Sequence, residues 1–356
     1  MNADLIIVDC KCISDMMKNS RGETCHLPLP MARKMEAEGH VKIISDHEGN
    51  PVDKNIIQFI ADTDYLFRKS FDKAQQLTRI AWVQDSHKDG GAELSSQVVV
   101  NVGNRCGFDI VGVTPDNFSM TVINDADIVV VNNCFEFGND QFNQMLDVLF
   151  HGKKYVKYEH DHREINLRAG IGKRLFDNSK LNIFISPQHR KNHEAAFGDC
   201  IKNKSITLPL AIRTARFNAV AGVAREDNSY FIPSYRKCKE NIDAFIKEHP
   251  EYKYTTAGEF DRCDLPGVKN LGAVLITDMA RIYSEHKYML HLPLKVGGGE
   301  RVVFEAVLCG CEPITNENAS HITWAEQWDY RDQKILRARL DAAPNDFWRA
   351  IGKIVK

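Results

Sequence analysis

The chain predicts an α/β fold built from doubly wound parallel sheets in more than one domain. Short apolar strand patterns alternate with helix patterns along its length, 356 residues suffice for two domains of ordinary size, and glycine-rich turns recur where a strand gives way to a helix. Helices cover both faces of a parallel sheet, so its strands read as continuous apolar runs.

Leu5 to Val8 is a short apolar run, Leu27 to Glu38 carries a helical period ending at Gly39, and Val41 to Ser45 reads as a second strand. A long polar helix from Asp53 to Gln76 follows, and the segment 1–75 reads as an added pair of β-α units. Arg79 to Val83 starts the main body as a strand, and the loop QDSHKDGGAE leads into a helix from Glu93 to Cys106. Further strands are expected at Ile110 to Val113, Ile128 to Val131, Lys154 to Tyr158 and Asn182 to Ile185. Ser205 to Asn218 reads as a junction. Beyond it lie strands at Ser229 to Ile232, Tyr252 to Thr256, Lys269 to Gly272 and Tyr288 to Leu292, with a helix at Lys239 to Glu248 stopped by Pro250. The last segment, Trp328 to Lys356, is helical with a break at Pro344-Asn345-Asp346. The expected division is an α/β extension (1–75), a first sheet domain (76–210), a second (211–335) and a terminal helix (336–356).

Hydrophobic residues make up 43% of the chain and charged residues 26%, the balance of a globular protein. No apolar run approaches the roughly 20 residues that span a bilayer. The start, MNADLIIVDC, lacks the basic opening and long apolar core of a secretory signal, so a cytoplasmic setting, in a cell or an infected host, is expected. The ten cysteines show no spaced CxxC pairs and read as reduced core residues. A net charge of −2 supplies no global attraction to nucleic acid and leaves room only for a local basic patch.

The richest segment is His291 to Trp324, which reads as strand, glycine turn, helix and next strand. Gly297, Gly298 and Gly299 stand where a helix is about to begin, and free amides at a helix start favour phosphate. The run from Val302 to Leu308 is apolar almost all round, which predicts a buried helix, yet Glu305 interrupts it. A carboxylate in such a helix is costly unless it is paired or bonded to a ligand. Gly310 ends the helix, and Glu312 to Thr315 begins a strand.

This segment resembles the donor-binding signature of the retaining GT-B glycosyltransferases, carried by Glu305-Ala306 and Cys309-Gly310. The resemblance implies a GT-B fold, two Rossmann-like doubly wound parallel-sheet domains facing across a cleft, with the N-terminal α/β extension added and the last helix crossing back to the first domain. It implies that Glu305 binds the ribose hydroxyls of a nucleotide sugar. The signature has an acid eight positions before that one, where this chain has Gly297, so the donor-sugar contact falls to Glu300 or is lost. Arg301 belongs to the same donor-binding stretch. The Gly90-Gly91-Ala92-Glu93 string matches a loop that, in this family, faces the donor from the first domain.

A third group, Lys157-Tyr158-Glu159-His160-Asp161-His162-Arg163, stands at the end of a strand of the first sheet and extends to Gly172, giving the string HDHREINLRAGIG. So many ionisable groups in a row read as unburied. The string resembles a segment of the phage DNA α-glucosyltransferases, and the broader family implies that His160 lies beside the donor sugar and Asp161 near the acceptor. His162, Arg163 and Arg168 are candidates for steering an anionic acceptor. Arg236 and Lys239 precede or begin a helix where the family clamps the diphosphate, and such cations stabilise charge on the departing group.

No metal is expected. Asp62-Thr63-Asp64 falls in a helix pattern and Asp125-Ala126-Asp127 opens a strand, while His160 and His162 lack a cysteine or acid at ligand spacing. His189 and His193 share a helix face and read as packing or surface residues. The expected donor is a UDP- or GDP-sugar with no further cofactor. The acceptor is a hydroxymethylated DNA base, in which case base flipping is implied, or else a glycan or lipid-linked sugar. A non-catalytic nucleotide-sugar binder remains a third reading because of Gly297. A single-domain Rossmann dehydrogenase is the structural alternative, but no GxGxxG follows the first strand.

Overall fold

The computed structural model describes residues 7–12, 24–28, 41–46, 78–86, 90–167, 169–258 and 261–355. The chain divides into two units, Met1–Lys73 and Ala74–Lys356.

In the first unit, β1 (Ile7–Cys12), β2 (Thr24–Pro28) and β3 (Val41–Asp46) form a sheet of order β2-β1-β3. Both pairings are antiparallel. Strand β2 takes up Leu27 and Pro28, where a helix was expected to begin. Pro28 stands at the end of an edge strand, a place where a missing N–H is tolerated. The rest of that helix, the polar helix Asp53 to Gln76 and Asp62-Thr63-Asp64 lie outside the described residues.

The second unit opens with β4 (Arg79–Val83), α1 (Gly91–Arg105), β5 (Asp109–Val113), α2 (Met120–Asp125), β6 (Ile128–Val131) and α3 (Asn139–Phe150). It continues with β7 (Tyr155–Glu159), α4 (Arg163–Leu167), α5 (Ala169–Asn178), β8 (Leu181–Phe184), α6 (Pro187–Phe197), α7 (Asp199–Asn203) and β9 (Ser205–Thr207). These strands form one parallel sheet of order β5-β4-β6-β7-β8-β9.

A second parallel sheet follows, of order β12-β11-β10-β13-β14. Its elements are β10 (Glu226–Ile232), α8 (Tyr235–Glu248), β11 (Lys253–Thr256), β12 (Val268–Asn270), α9 (Met279–Glu285), β13 (His286–His291), α10 (Arg301–Leu308) and β14 (Glu312–Thr315). In each sheet the order reverses beside the first strand, between β4 and β6 and between β10 and β13. Connections leave such a point in opposite directions and open a crevice at the carboxyl ends of the strands.

Alternation along β4 sends side chains to two cores. Ala81 and Val83 join Val129, Val131 and the α3 residues Phe142, Met145 and Leu149. Trp82 points the other way, to Tyr158, Phe347 and Trp348 at ring-centroid distances of 6.1, 5.7 and 6.3 Å.

The last two of these residues belong to α11 (Gln333–Val355), which runs unbroken through Pro344. An interior proline forfeits a backbone bond, but the apolar face of Leu336, Leu340, Ala343, Phe347, Trp348 and Ile351 is buried on both sides of it and holds the helix straight on. Trp348 donates its indole N–H to the Val99 carbonyl of α1 at 2.7 Å. The second sheet has its own core around Tyr230, Ile232, Ile242 and Leu290. Among the described residues no helix is long and apolar enough to cross a membrane.

Candidate functional site

The crevice of the first sheet is bounded by the loops after β4, β6 and β7. Gly90 caps α1, and the Glu93 carboxylate folds back so closely that a Cβ at Gly90 would stand 2.2 Å from its Oε2. Burial raises the Glu93 pKa, with Asp85 adding repulsion. Asp85, in the loop after β4, accepts the Glu136 amide at 2.8 Å and faces Arg163 at 3.8 Å. Arg163 lies on the Phe135 ring and binds Asp161 Oδ2 at 2.5 Å. Asn133 also donates to that oxygen, at 3.4 Å.

Lys157, Tyr158, Glu159 and His160 are buried, which corrects the expectation of a solvated charged run. They lie on or beside β7, a central strand whose faces are both covered. Lys157 Nζ binds Glu159 at 2.8 Å and the Asn132 carbonyl at 3.1 Å, and stands 3.8 Å from Glu164. Burial alone would lower the Lys157 pKa, but the two glutamates hold it above its ordinary range. Glu159 Oε1 accepts the amides of both His160 and Asp161 at 3.2 Å, so the buried pair sets the backbone of the next loop. The i, i+2 spacing of Lys157 and Glu159, one face of a strand, was the sequence signal for this pair.

Burial pushes the Glu159 carboxyl up to about 7 despite Lys157, with Asp161 and Glu164 adding repulsion. An acid raised in this way holds its proton more tightly when folded. Its contribution to stability is therefore full below the ordinary value of 4.5 and lost as pH rises to about 7. Over that window the stability of the unaltered chain, measured by denaturant unfolding, should fall more steeply than that of Glu159→Gln. Equal slopes would refute the shift.

His160 is neutral, its pKa drawn down by burial to about 3. Its ring meets Tyr158 at 4.2 Å, and both of its ring nitrogens are buried without a hydrogen-bond partner. The glycine loop of the second sheet lies against it. A Cβ on Gly298 would stand 2.3 Å from the His160 carbonyl oxygen, and one on Gly299 would stand 3.2 Å from Ile185. Ser186 Oγ donates to the Gly298 carbonyl at 2.6 Å. None of Gly297, Gly298 and Gly299 has positive φ, so close approach between the two sheet domains, rather than turn geometry, is what requires glycine here. Gly298→Ala is expected to cost about 1–3 kcal/mol through forced repacking, read from its unfolding midpoint. An unchanged midpoint would show that the loop yields freely.

At Gly297 a Cβ would lie 2.6 Å from Glu300 Oε1, so the displaced acid bends back over the vacant side-chain position. The other oxygen of Glu300 meets the His321 amide at 3.1 Å and its Nδ1 at 3.2 Å. Burial would raise the Glu300 pKa, but His321 and His291 bring it below its ordinary value. Glu305 is buried in α10, where Arg301 Nε binds Oε1 and the Tyr283 hydroxyl lies 3.4 Å from Oε2. Burial raises its pKa, against the pull of Arg301. Arg301 also reaches the first domain, donating to Ser95 Oγ on α1 at 3.3 Å, and lies 3.9 Å from a Cβ built on Gly91.

Arg236 and Lys239 stand at the start of α8, beside the crevice of the second sheet. They line a cavity of about 340 Å³ together with Tyr235 and Arg262, a further cation that the sequence reading missed. Lys239 is tied down, to Asp243 at 2.6 Å and the Tyr235 hydroxyl at 2.9 Å, and both bonds raise its pKa. Ser234 Oγ lies 2.8 Å from His291 Nδ1, joining the α8 start to the end of β13. A second cavity, of about 500 Å³, is lined by Thr78, Asp127, Lys153 and Lys154 at the amino ends of the first sheet's strands, the edge away from the crevice. Of the three residues expected to steer an acceptor, Arg163 is paired with acids, His162 meets Asn192 at 3.0 Å, and Arg168 lies outside the described residues.

Two parallel sheets that each reverse order at the crevice, joined by a terminal helix, make a GT-B fold. The chain superposes on sucrose-phosphate synthase from Thermosynechococcus elongatus with a TM-score of 0.53 and 12% identity, covering 78% of this chain and 92% of that one. An alpha-glucosyltransferase solved with UDP and a 13-mer DNA containing an HMU base gives 0.52 and 12%, covering 78% and 95%. HepE of Anabaena, solved with UDP and glucose, gives 0.51 and 14%, covering 77% and 94%. No protein-family model matches the chain, and no curated protein matches it in sequence. Identities this low carry the fold and leave the activity to the site.

Proposed function

We propose that the protein transfers a sugar from a nucleotide-diphosphate donor to an acceptor hydroxyl, with retention at the anomeric carbon, as a hexosyl- or pentosyltransferase. One juxtaposition carries this reading: the buried acid Glu305 on one sheet domain and the neutral, unpartnered His160 on the other, brought to facing crevices by the glycine loop. Glu305 takes the ribose hydroxyls. Arg236 and Lys239 take the diphosphate, and Lys239 exchanges Asp243 for it. The Gly297 to Gly299 stretch, Glu300 and Arg301 close over the phosphate and sugar, with Gly90 and Gly91 opposite.

His160 donates to or accepts from a sugar hydroxyl without bringing a charge, and Asp161, oriented by Arg163 and Asn133, lies toward the acceptor. Cations around the departing diphosphate stabilise the charge it gains as the glycosidic bond breaks. HepE and the alpha-glucosyltransferase were each solved with UDP, which makes a UDP-sugar the first donor to test and a GDP-sugar the second.

The acceptor reading turns on charge. Among the described residues the acceptor side carries Asp85, Glu93, Glu136 and Asp161, with Arg163 paired to two of them, a balance that offers a polyanion no attraction and suits a neutral sugar hydroxyl. This favours a glycan or lipid-linked acceptor over DNA. The HDH string keeps a hydroxymethylated base as the second reading. Incubation with labelled UDP- and GDP-sugars, in separate reactions with a glycan panel and with hydroxymethylcytosine DNA, tests both. Label in the glycans supports the first reading and label in the DNA the second. A chain that binds donor yet neither transfers nor slowly hydrolyses it is a binder, and the enzymatic reading then fails.

A further inference from the structure

We infer that His162, His189 and His193 form a binding site for a divalent metal ion of the zinc class, beside the loop that carries His160 and Asp161. One nitrogen from each ring lies within 4.8 Å of the others. His189 and His193 are one turn apart on α6, a spacing that aims two imidazoles at one ion, and His162 comes from the loop after β7.

Hydrogen bonding fixes which nitrogens are free. His193 Nδ1 lies 2.9 Å from the His189 carbonyl and His189 Nε2 lies 2.8 Å from the Asp161 carbonyl. A carbonyl only accepts, so both of these nitrogens carry hydrogen. The opposite nitrogens, His189 Nδ1 and His193 Nε2, are left as bare lone pairs, and both are buried with no donor in reach. At His162, Asn192 Oδ1 accepts from Gln188 at 2.6 Å, which turns the amide's Nδ2 toward His162 Nε2 at 3.0 Å. That nitrogen too is a lone pair, held by an amide that an ion would displace.

Three ring lone pairs in one cluster, two of them buried and unsatisfied, have no rationale as packing, because a phenyl ring would fill the space without the cost of burying them. Phe176, Phe184 and Phe197 already surround His193 and supply no hydrogen. A metal-bound imidazole characteristically donates its second nitrogen to a backbone carbonyl or carboxylate, as His189 and His193 do here. Three ligands leave a fourth tetrahedral position for water, and His162, only half-buried, gives the ion a way in. Bound there, the ion would pin the His160–Asp161 loop to α6. This inference stands apart from the glycosyltransfer reading, since it concerns the ion and not the sugar.

The test is metal analysis of the full chain purified without a histidine tag and dialysed against zinc, and separately against cobalt for its visible spectrum. One zinc per chain, a tetrahedral cobalt spectrum and a zinc-dependent rise in melting temperature are expected. All three should be lost in His193→Phe, which keeps the aromatic packing, and in His162→Asn at the half-exposed position. A chain that takes up no more zinc than His193→Phe, or a folded His193→Phe and His162→Asn that both keep the ion, would overturn the site.

Discussion

A Glu305→Ala chain is expected to lose about ten- to a hundredfold in nucleotide-sugar affinity, the worth of one or two hydrogen bonds to a charged group. The same change should remove about 3–5 kcal/mol of stability, because it strands an Arg301 whose side chain is only 10% exposed. The two effects have different causes and separate cleanly. Arg301→Met combined with Glu305→Leu replaces the ion pair by apolar side chains of similar size and should restore most of the stability while leaving affinity low. Titration calorimetry with UDP and GDP, alongside denaturant unfolding of each variant, reads both. Wild-type affinity in a folded Glu305→Ala chain would remove Glu305 from the donor site.

Trp348→Ala is expected to cost about 3–5 kcal/mol, the usual range for emptying a buried tryptophan site. Trp348 stacks on Phe108 at a centroid distance of 4.6 Å, lies tilted against Trp82 at 6.3 Å, and donates to Val99. A Cβ on Gly103 would lie 2.3 Å from its ring, so α1 has been shaped to admit it. Its neighbour Phe347 contacts Tyr158 at 5.1 Å, and Tyr158 in turn contacts His160 at 4.2 Å. Trp348→Phe, which keeps a ring, should cost less than the alanine variant. If alanine proves as mild as phenylalanine in unfolding experiments, the terminal helix is not a principal support of the first sheet.

Where strands are buried on both faces, their apolar runs mark them plainly, and Arg79 to Val83 and Ile128 to Val131 match the structure residue for residue. Strand β10 starts three residues earlier than its apolar run because Glu226, Asp227 and Asn228 are exposed and leave no hydrophobic trace. Pro344 reads locally as a stop, and only the tertiary surface beneath α11 overrides it.

The same distinction governs the site. Glu305 stood out because an acid in an apolar helix needs a partner, and the partner is one turn away, at Arg301. The contact of Gly298 with the His160 carbonyl joins residues 138 positions apart (298 − 160) and leaves no local pattern, so the glycines read as a phosphate turn. Lys157 and Glu159 read as unburied because charge in sequence suggests water, whereas an i, i+2 pair of opposite sign on a central strand can satisfy itself.

The return of α11 to the first sheet bears on the order in which the protein can be made. A chain emerging from the ribosome ordinarily folds its leading domain while the rest is still being translated. Here Trp82 is translated near the start of the second unit, and its aromatic neighbours Phe347 and Trp348 arrive only some 265 residues later. Until then Trp82 lacks the rings that cover it, and the nascent chain must keep that apolar surface from other partners. A ribosome-bound chain truncated before Phe347 should therefore resist protease less well in its first parallel-sheet domain than a chain that includes all of α11.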